Sequence, residues 1–324
     1  MTLPYSMRII THGSDTMTHL FIINPAAGSR NRTEEYREKI KAACVSRGLH
    51  YRIQISQAPG DCRRLARAAA ETGKEYKIYA CGGDGTLNEV ADGAAGFDNV
   101  SVTVFSGGSG NDFVKLFDDP KAFFDLERLL DAEEVTFDMI RCNDTRALNI
   151  CSVGLDARIG TDVSRYKRLP FLHGFKAYAA STVVNLCKGI SEHYVVEIGG
   201  EKIDGEFTFV CACNGRFYGG GFNPVPEADP TDGLLDVLLV DKVHLPQVPG
   251  IIGKYKNGQY KQLGHLVRHF KTDKLKITCD KEVPVNVDGE ALFTREVEFS
   301  IAREKLRFFY PRGLSFAVKE ELTV

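Results

Sequence analysis

Tryptophan is absent from the 324 residues, and so are any Cys-x-x-Cys pair, internal repeat or low-complexity segment. The nine cysteines (44, 62, 81, 142, 151, 187, 211, 213 and 279) are odd in number and scattered. That pattern speaks against a zinc site or a disulfide framework and for reduced, mostly buried thiols in a reducing cytoplasm. Cys211-Ala-Cys213 has the spacing of two same-face strand positions. No apolar run approaches the roughly 20 residues needed to span a bilayer, and Met1–Arg8 carries no hydrophobic signal core. Residues 1–16 are expected to be a disordered leader. A net charge of −2 leaves no excess for general nucleic-acid binding. The 20 Phe and 12 Tyr read as core and surface, without a cofactor signal.

Hydrophobic content of 43% and charged content of 26% describe a globular chain with ample core, long enough for two domains. His19–Ile23 is a wholly apolar run, as expected of a buried parallel strand. A helix is predicted from Thr33 to about Arg47, with Tyr36, Ile40, Ala43 and Cys44 on one side. Tyr51–Ile55, Lys77–Ala80 and Val100–Phe105 read as further strands, and Cys62–Thr72 as a second helix. Strands alternating with helices imply a parallel α/β sheet.

After about Asp138 the texture changes to short alternating strands, the mark of an antiparallel β-rich domain. These are Arg146–Gly154, Tyr194–Ile198, Glu206–Cys213, Leu234–Val240, Lys274–Thr278, Val285–Val287, Val297–Ile301 and Lys305–Phe309. Helices are expected over roughly 171–190 and 245–259. The predicted division is 17–138 for the α/β domain and 139–309 for the β-rich domain, with 310–324 packing back on the first.

The organising stretch is Lys77-Ile-Tyr-Ala-Cys-Gly-Gly-Asp-Gly-Thr-Leu-Asn88. Three glycines in four positions let the backbone turn and present N–H groups, and a helix beginning at about Thr86 adds the positive end of its dipole. Asp84 alone would repel a phosphate, so cradle and carboxylate together suggest a Mg²⁺–nucleotide site. In parallel α/β sheets ligands bind beyond the carboxyl ends of the strands. The loops there are Asn24–Gly28, Ser56–Asp61, Gly82–Thr86 and Ser106–Asp112. An ordinary strand-to-helix turn explains one such loop, but not four converging on one edge.

These residues resemble the bacterial diacylglycerol kinase family, lipid kinases that share a catalytic domain with eukaryotic diacylglycerol, sphingosine and ceramide kinases. The matching motifs are Asn24-Pro-Ala-Ala-Gly28, Gly82-Gly-Asp-Gly-Thr-Leu-Asn-Glu89, Gly108-Ser-Gly-Asn-Asp-Phe113, Asp232-Gly-Leu-Leu-Asp-Val237 and Asn286-Val-Asp-Gly-Glu290. Gly-Gly-Asp-Gly occurs also in NAD kinases and phosphofructokinases, whose α/β fold the first domain is expected to share. The late Asp-Gly-Glu makes the resemblance specific.

The resemblance implies transfer of the γ-phosphate of ATP, with Mg²⁺, to a lipid hydroxyl in the cleft between the domains. Asn24, Pro25, Ala26, Ala27, Gly28, Gly82, Gly83, Asp84, Gly85, Thr86 and Leu87 would surround the nucleotide phosphates, with Ser56, Asn88 and Ser109 adding hydrogen bonds. Asp84 would hold the catalytic Mg²⁺. Glu290 resembles the general base, and Asp84 is the competing candidate. Asp232, with Asp229 and the Leu234 carbonyl, would bind a second Mg²⁺ away from the chemistry. Asp112 and Asp138 match acidic positions of a charge network near the first metal. A Lys of some relatives is replaced by Ser29-Arg30, and the family Lys of the second domain has no clear match, Lys176 lying about a turn early.

Diacylglycerol is the default acceptor. Alternatives are another lipid alcohol (phosphatidylglycerol, a sphingoid base, an undecaprenol-like lipid) or a catalytically silent lipid- or nucleotide-binding regulator. The resemblance also admits a homodimer. Such a protein is expected in the cytoplasm, visiting the inner face of the membrane. Two segments are expected to dock it: Arg165–Arg168 with the apolar stretch to Phe175, and 242–276, which has eight cations against the single acid Asp273.

Overall fold

The computed structural model of the chain describes residues 17–28, 30–107, 111–166, 185 and 190–316. The expectations for residues 1–16, Ser29, Ser109, Lys176, the apolar stretch to Phe175 and most of the 171–190 helix lie outside these residues.

The first domain is a sheet of six strands. They are β1 (Thr18–Ile23), β2 (Tyr51–Ile55), β3 (Tyr76–Gly82), β4 (Val100–Ser106), β5 (Ala132–Phe137) and a late strand, Leu306–Pro311. In space β2, β1, β3, β4, the late strand and β5 follow one another, parallel up to the last pair, which is antiparallel. β1 and β4 are buried at every position, which is why they read as continuous apolar runs. Helices α1 (Thr33–Ser46), α2 (Asp61–Ala70) and α3 (Asp84–Ala94) connect the strands. α1 buries Tyr36, Ile40, Ala43 and Cys44, the face its periodicity predicts. A short α4 (Leu126–Leu130) precedes β5.

The late strand corrects the division of the chain. Lys305–Phe309, expected in the β-rich domain, belongs to the first sheet, so the return begins at Leu306 rather than 310. The cause is aromatic packing. Phe308 and Phe309 are fully buried, and the Phe308 ring lies 5.4 Å from Phe137 and 5.6 Å from Phe113. Tyr79 completes the cluster against Phe21 and Phe309.

The second domain is antiparallel throughout its pairings, with nine strands among the described residues. Along the chain they are β6 (Ile140–Cys142), β7 (Thr145–Ala147), β8 (Ile150–Gly154), β9 (Glu192–Ile198), β10 (Glu201–Cys213), β11 (Leu235–Asp241), β12 (Val267–Thr272), β13 (Lys274–Val287) and β14 (Glu290–Ile301), which makes the late strand β15. β10 and β13 are long, and each pairs with β9 along one half and β8 along the other. The four strands thus enclose a core that includes Tyr194, Val196, Phe207, Val210, Ile277 and Val285. The 274–278 and 285–287 segments, expected as two strands, are one strand with an irregularity between Thr278 and Val283.

Two helices cover the other side. α5 (Leu155–Tyr166) follows β8 directly, ahead of the helix expected over roughly 171–190. Gly154 allows the change of direction, with φ 103° and no room for a Cβ, which would lie 2.6 Å from the Thr208 carbonyl oxygen. α6 (Val248–Lys256) falls within the predicted 245–259 helix. Beneath them lie Ile150, Leu155, Cys211, Cys213, Tyr218, Leu238 and Tyr255, with the two Sγ atoms 3.7 Å apart as the same-face spacing requires. The eight described cysteines are all buried and unbridged.

Candidate functional site

α3 begins at Asp84, two residues earlier than expected, directly after the β3 strand and Gly83. A Cβ on Gly82 would sit 2.3 Å from Thr86 Oγ1, so glycine is required there for the helix to start this close to the strand. Gly85 differs. A Cβ there would meet nothing within 4 Å, so protein packing does not call for glycine, whereas a ligand approaching the helix end would. No side chain caps α3, and its first N–H groups face outward from the end of the parallel sheet. Asn24 ties the first loop to this one: its Nδ2 donates to Thr86 Oγ1 at 3.0 Å, and its Oδ1 accepts from Ala26 N at 3.0 Å. Gly28 takes φ 83° with open space around its missing Cβ.

Asp84 Oδ1 accepts from Asp112 N at 2.7 Å and Phe113 N at 3.2 Å. Asp112 in turn pairs with Lys115 Nζ at 2.5 Å and accepts from Gly220 N at 2.6 Å. Burial pushes the Asp84 carboxyl up to about 7; the two backbone donors oppose the shift, while the neighbouring Asp112 and Asp288 carboxylates add to it.

Asp288 comes from the second domain. With Gly289 it forms the two-residue turn between β13 and β14, at φ 47° and 92°. This is the hairpin turn that Asp-Gly favours. The same aspartate is also a buried acceptor, taking backbone N–H groups from Leu148 at 2.7 Å, Asn149 at 2.9 Å and Ile150 at 2.7 Å. Burial raises it to about 6 against those three donors, with Glu290 adding repulsion. Leu148 N is shared with Asn88 Oδ1 at 3.2 Å, which joins α3 to the Asp288 turn across the domain boundary.

The face of α3 repeats this pattern along its length. Asp84, Asn88 and Asp92 stand four residues apart, so they share one stripe of the helix. Asp92 is buried and binds Arg63 at 2.6 Å and Arg146 at 2.9 Å. Arg146 also reaches Glu304 at 2.5 Å, and the other end of the Arg63 guanidinium lies 3.6 Å from Glu290. Glu290 itself has a half-exposed side chain at the edge of this array, 52% accessible. Asp288, Arg63, Asp92 and Arg146 were not singled out from the sequence. The i, i+4, i+8 spacing of Asp84, Asn88 and Asp92 along α3 is the signal that finds Asp92.

Other predicted residues fall elsewhere. Ser56 is buried, its backbone N donating to the Ile23 carbonyl at 2.9 Å. Arg30 pairs with Glu35 at 3.2 Å on the surface. Asp138 is buried at the domain junction, where it accepts from Gly233 N at 2.7 Å and pairs with Lys305. Asp112 therefore joins Asp84 directly, whereas Asp138 braces the 229–234 loop.

That loop carries the residues expected around a second Mg²⁺. Asp229 Oδ1 accepts from Thr231 N and Oγ1 at 2.9 and 2.6 Å, and Asp232 Oδ1 from Leu234 N at 2.9 Å. Asp232 Oδ2 holds the Lys271 ammonium at 2.6 Å, and Lys271 also approaches Asp236 to 4.0 Å. An intramolecular cation stands where the metal was expected, so these residues do not fit a bound Mg²⁺ and no role is derived for one there.

The Asp84 site does fit. Burial, with the neighbouring Asp112 and Asp288 carboxylates adding to it, makes a charged Asp84 costly, and a divalent cation relieves that cost. Among the described residues no three His, Cys, Asp or Glu side chains form a closed cage. Magnesium does not need one, since it is commonly held by one or two carboxylates together with water and substrate phosphates.

Two family models match the chain in order. The diacylglycerol kinase catalytic domain matches residues 18–142, and the YegS C-terminal NAD kinase beta sandwich-like domain matches residues 149–310. A protein of Staphylococcus aureus (strain MRSA252) named "Putative lipid kinase" is 27% identical over 81% of this chain and 87% of its own length. One of the same description from Staphylococcus carnosus (strain TM300) is 23% identical over 80% and 85%. A crystal structure of a diacylglycerol kinase from Bacillus anthracis str. Sterne superposes with a TM-score of 0.66 over 90% of this chain and 96% of that one, at 19% identity, and so shares its fold. The motif order, the parallel sheet with its antiparallel companion and the two matches together place the chain in the diacylglycerol-kinase-like family of lipid kinases.

Proposed function

We propose that this protein transfers the γ-phosphoryl group of ATP to the hydroxyl of a membrane lipid alcohol, with diacylglycerol as the acceptor and phosphatidic acid as the product. The observation that carries the reading is the meeting of Asp84, at an uncapped helix N-terminus, with the Asp288–Glu290 turn of the other domain. Anion cradle and carboxylates from two domains face one another, as a reaction between a charged nucleotide and a neutral alcohol requires.

The backbone N–H groups of Gly83–Thr86 would hold phosphate oxygens, with Asn24 fixing the loop's shape. Asp84 would hold the Mg²⁺, which when bound supplies charge neutralisation on the transferred group. Glu290 accepts the proton of the lipid hydroxyl as that oxygen bonds to phosphorus and the bond to the ADP oxygen breaks. Its half-exposed carboxylate stands 3.6 Å from the Arg63 guanidinium. Asp288 anchors β8 and orients the turn that carries Glu290. Asp84, raised to about 7, is the second candidate for the base, since a group titrating near working pH is well matched to proton transfer.

The test is Mg²⁺-dependent transfer of labelled γ-phosphate to a lipid panel in mixed micelles. The panel holds diacylglycerol, phosphatidylglycerol, a sphingoid base and an undecaprenol. Label on diacylglycerol supports the reading, and label confined to another lipid corrects the acceptor. ATP binding without label on any lipid would overturn the reading in favour of a silent regulator.

A further inference from the structure

The eight cations of 242–276 do not form one basic face. Five are neutralised by carboxylates from other segments: Lys242 by Glu206, Lys261 by Glu227, Arg268 by Asp241, Lys271 by Asp232 and Lys276 by Glu296. Counting charge along the sequence therefore overstated the patch. What the structure leaves outward is narrower and more apolar. Leu245, in the turn leading into α6, is 53% exposed, and Ile252 in α6 is 40% exposed. Seven residues apart, they lie about two helical turns from each other on one side. Between them run Pro246, Pro249 and Gly250, all exposed, and next to them stand Lys254 and Lys256. No Asp or Glu occurs from Lys242 to Thr272.

The inner side of the same helix is fastened toward the candidate site. Tyr255, buried, exchanges a hydrogen bond with Tyr218 OH at 3.0 Å, and Tyr218 donates to the buried Asp156 at 3.0 Å. Tyr218 and Phe222 bracket a loop in which Gly219, Gly220 and Gly221 all take positive φ, and Gly220 N reaches Asp112. Asp112 N is the donor to Asp84. One continuous set of contacts thus runs from the outer face of α6 to the carboxylate at the nucleotide cradle.

Resting on the lipid-kinase reading above, we propose that the tip formed by Leu245–Lys256 docks on an anionic lipid bilayer. Leu245 and Ile252 enter the headgroup region, and Lys254 and Lys256 meet lipid phosphates. Charge complementarity argues for this occupant: exposed branched apolar side chains beside Lys254 and Lys256 suit an anionic interface. Its connection to Asp112 brings the docked surface to the side of the molecule where a membrane-held alcohol must arrive.

The experiment is sedimentation of the full chain with vesicles, without ATP, comparing phosphatidylcholine alone with phosphatidylcholine containing phosphatidylglycerol. The expected result is salt-sensitive binding to the anionic vesicles. Leu245→Ser with Ile252→Ser should weaken it by about tenfold or more, and Lys254→Gln with Lys256→Gln by roughly fivefold per cation. Circular dichroism and ATP binding of the variants should match the parent. Unchanged vesicle binding in both variants, or no binding by the parent, would overturn the proposal. So would a parent dimer that the apolar variant dissociates while vesicle binding persists, because the occupant would then be a second copy. The readout needs no turnover. Docking without lipid phosphorylation would sink the kinase reading alone, and phosphorylation in micelles without docking would sink this one alone.

Discussion

Asp84, at the start of α3, and Asp232, in the 229–234 loop, both stand immediately before a glycine and both accept backbone N–H groups, yet their surroundings have opposite sign. Around Asp84 lie Asp112 and Asp288, and burial lifts its carboxyl to about 7. Around Asp232 lies Lys271, whose ammonium burial disfavours but the Asp232 carboxylate raises overall, with Lys305 on Asp138 nearby in the same loop assembly. At the first place Lys115 balances Asp112, whereas among the described residues no Lys or Arg pairs with Asp84, which has use for an external cation. The second has been neutralised from within. Asp-Gly motifs of similar appearance thus divide into a site poised for a ligand and a brace between elements, and the neighbours decide which.

The largest expected effects break the first half of that comparison. Asp84→Asn should cut lipid phosphorylation by about a thousandfold, the scale of losing a preorganised electrostatic contact, and should abolish saturation by Mg²⁺. Glu290→Gln should lower kcat by about a hundredfold or more with the Mg²⁺ requirement intact. If Glu290→Gln keeps full kcat, the base is Asp84.

Next comes the strut. Asp92→Ala leaves Arg63 and Arg146 without their shared partner, and thermal unfolding should show a loss of about 2–3 kcal/mol, because breaking a largely buried pair strands the opposite charges. A change within a few tenths would mean that α3 is not held to the second domain through this residue.

A smaller effect concerns pH. Asp84 has a folded value of about 7 against an ordinary value of 3.8, so the folded state binds this proton more tightly than the unfolded one. Its contribution is complete below pH 3.8 and is lost as the pH rises through about 7. Asp84→Asn, which keeps an oxygen for the Asp112 and Phe113 N–H groups, should therefore stabilise the metal-free protein at pH 8 by about 2–3 kcal/mol. At pH 4 it should change little. Equal effects at both pH values would remove the case for strained carboxylates.

How much of this could be read from the residues depends on the range over which each feature is encoded. The strand-turn-helix at Gly82–Asn88 was legible because Gly82, Asp84 and Asn88 are neighbours in sequence. The strands of the first sheet were legible from their apolar runs. The placement of Leu306–Pro311 was not, because its fate is set by Phe113, Phe117 and Phe137, far away in sequence. For the same reason Asp288 was passed over for Glu290: the donors that make it a buried acceptor are the backbone N–H groups of 148–150. The net charge of 242–276 misled because its neutralising carboxylates come from other segments.

The smallest expected effect tests the second half of the comparison. Lys271→Met removes the internal cation, and the partly exposed pair should cost about 0.5–1 kcal/mol. Mg²⁺ in the millimolar range should then restore that loss in the variant while leaving the parent's melting temperature unchanged.

The most direct measurement is calorimetric titration of the protein with ATP, with and without Mg²⁺, between pH 5.5 and 8.5, comparing the parent with Asp84→Asn and Asp232→Asn. The account predicts Mg²⁺-enhanced binding that weakens in acid near pH 7, disappears in Asp84→Asn and survives in Asp232→Asn. Mg²⁺-enhanced binding that persists in Asp84→Asn and vanishes in Asp232→Asn would contradict it.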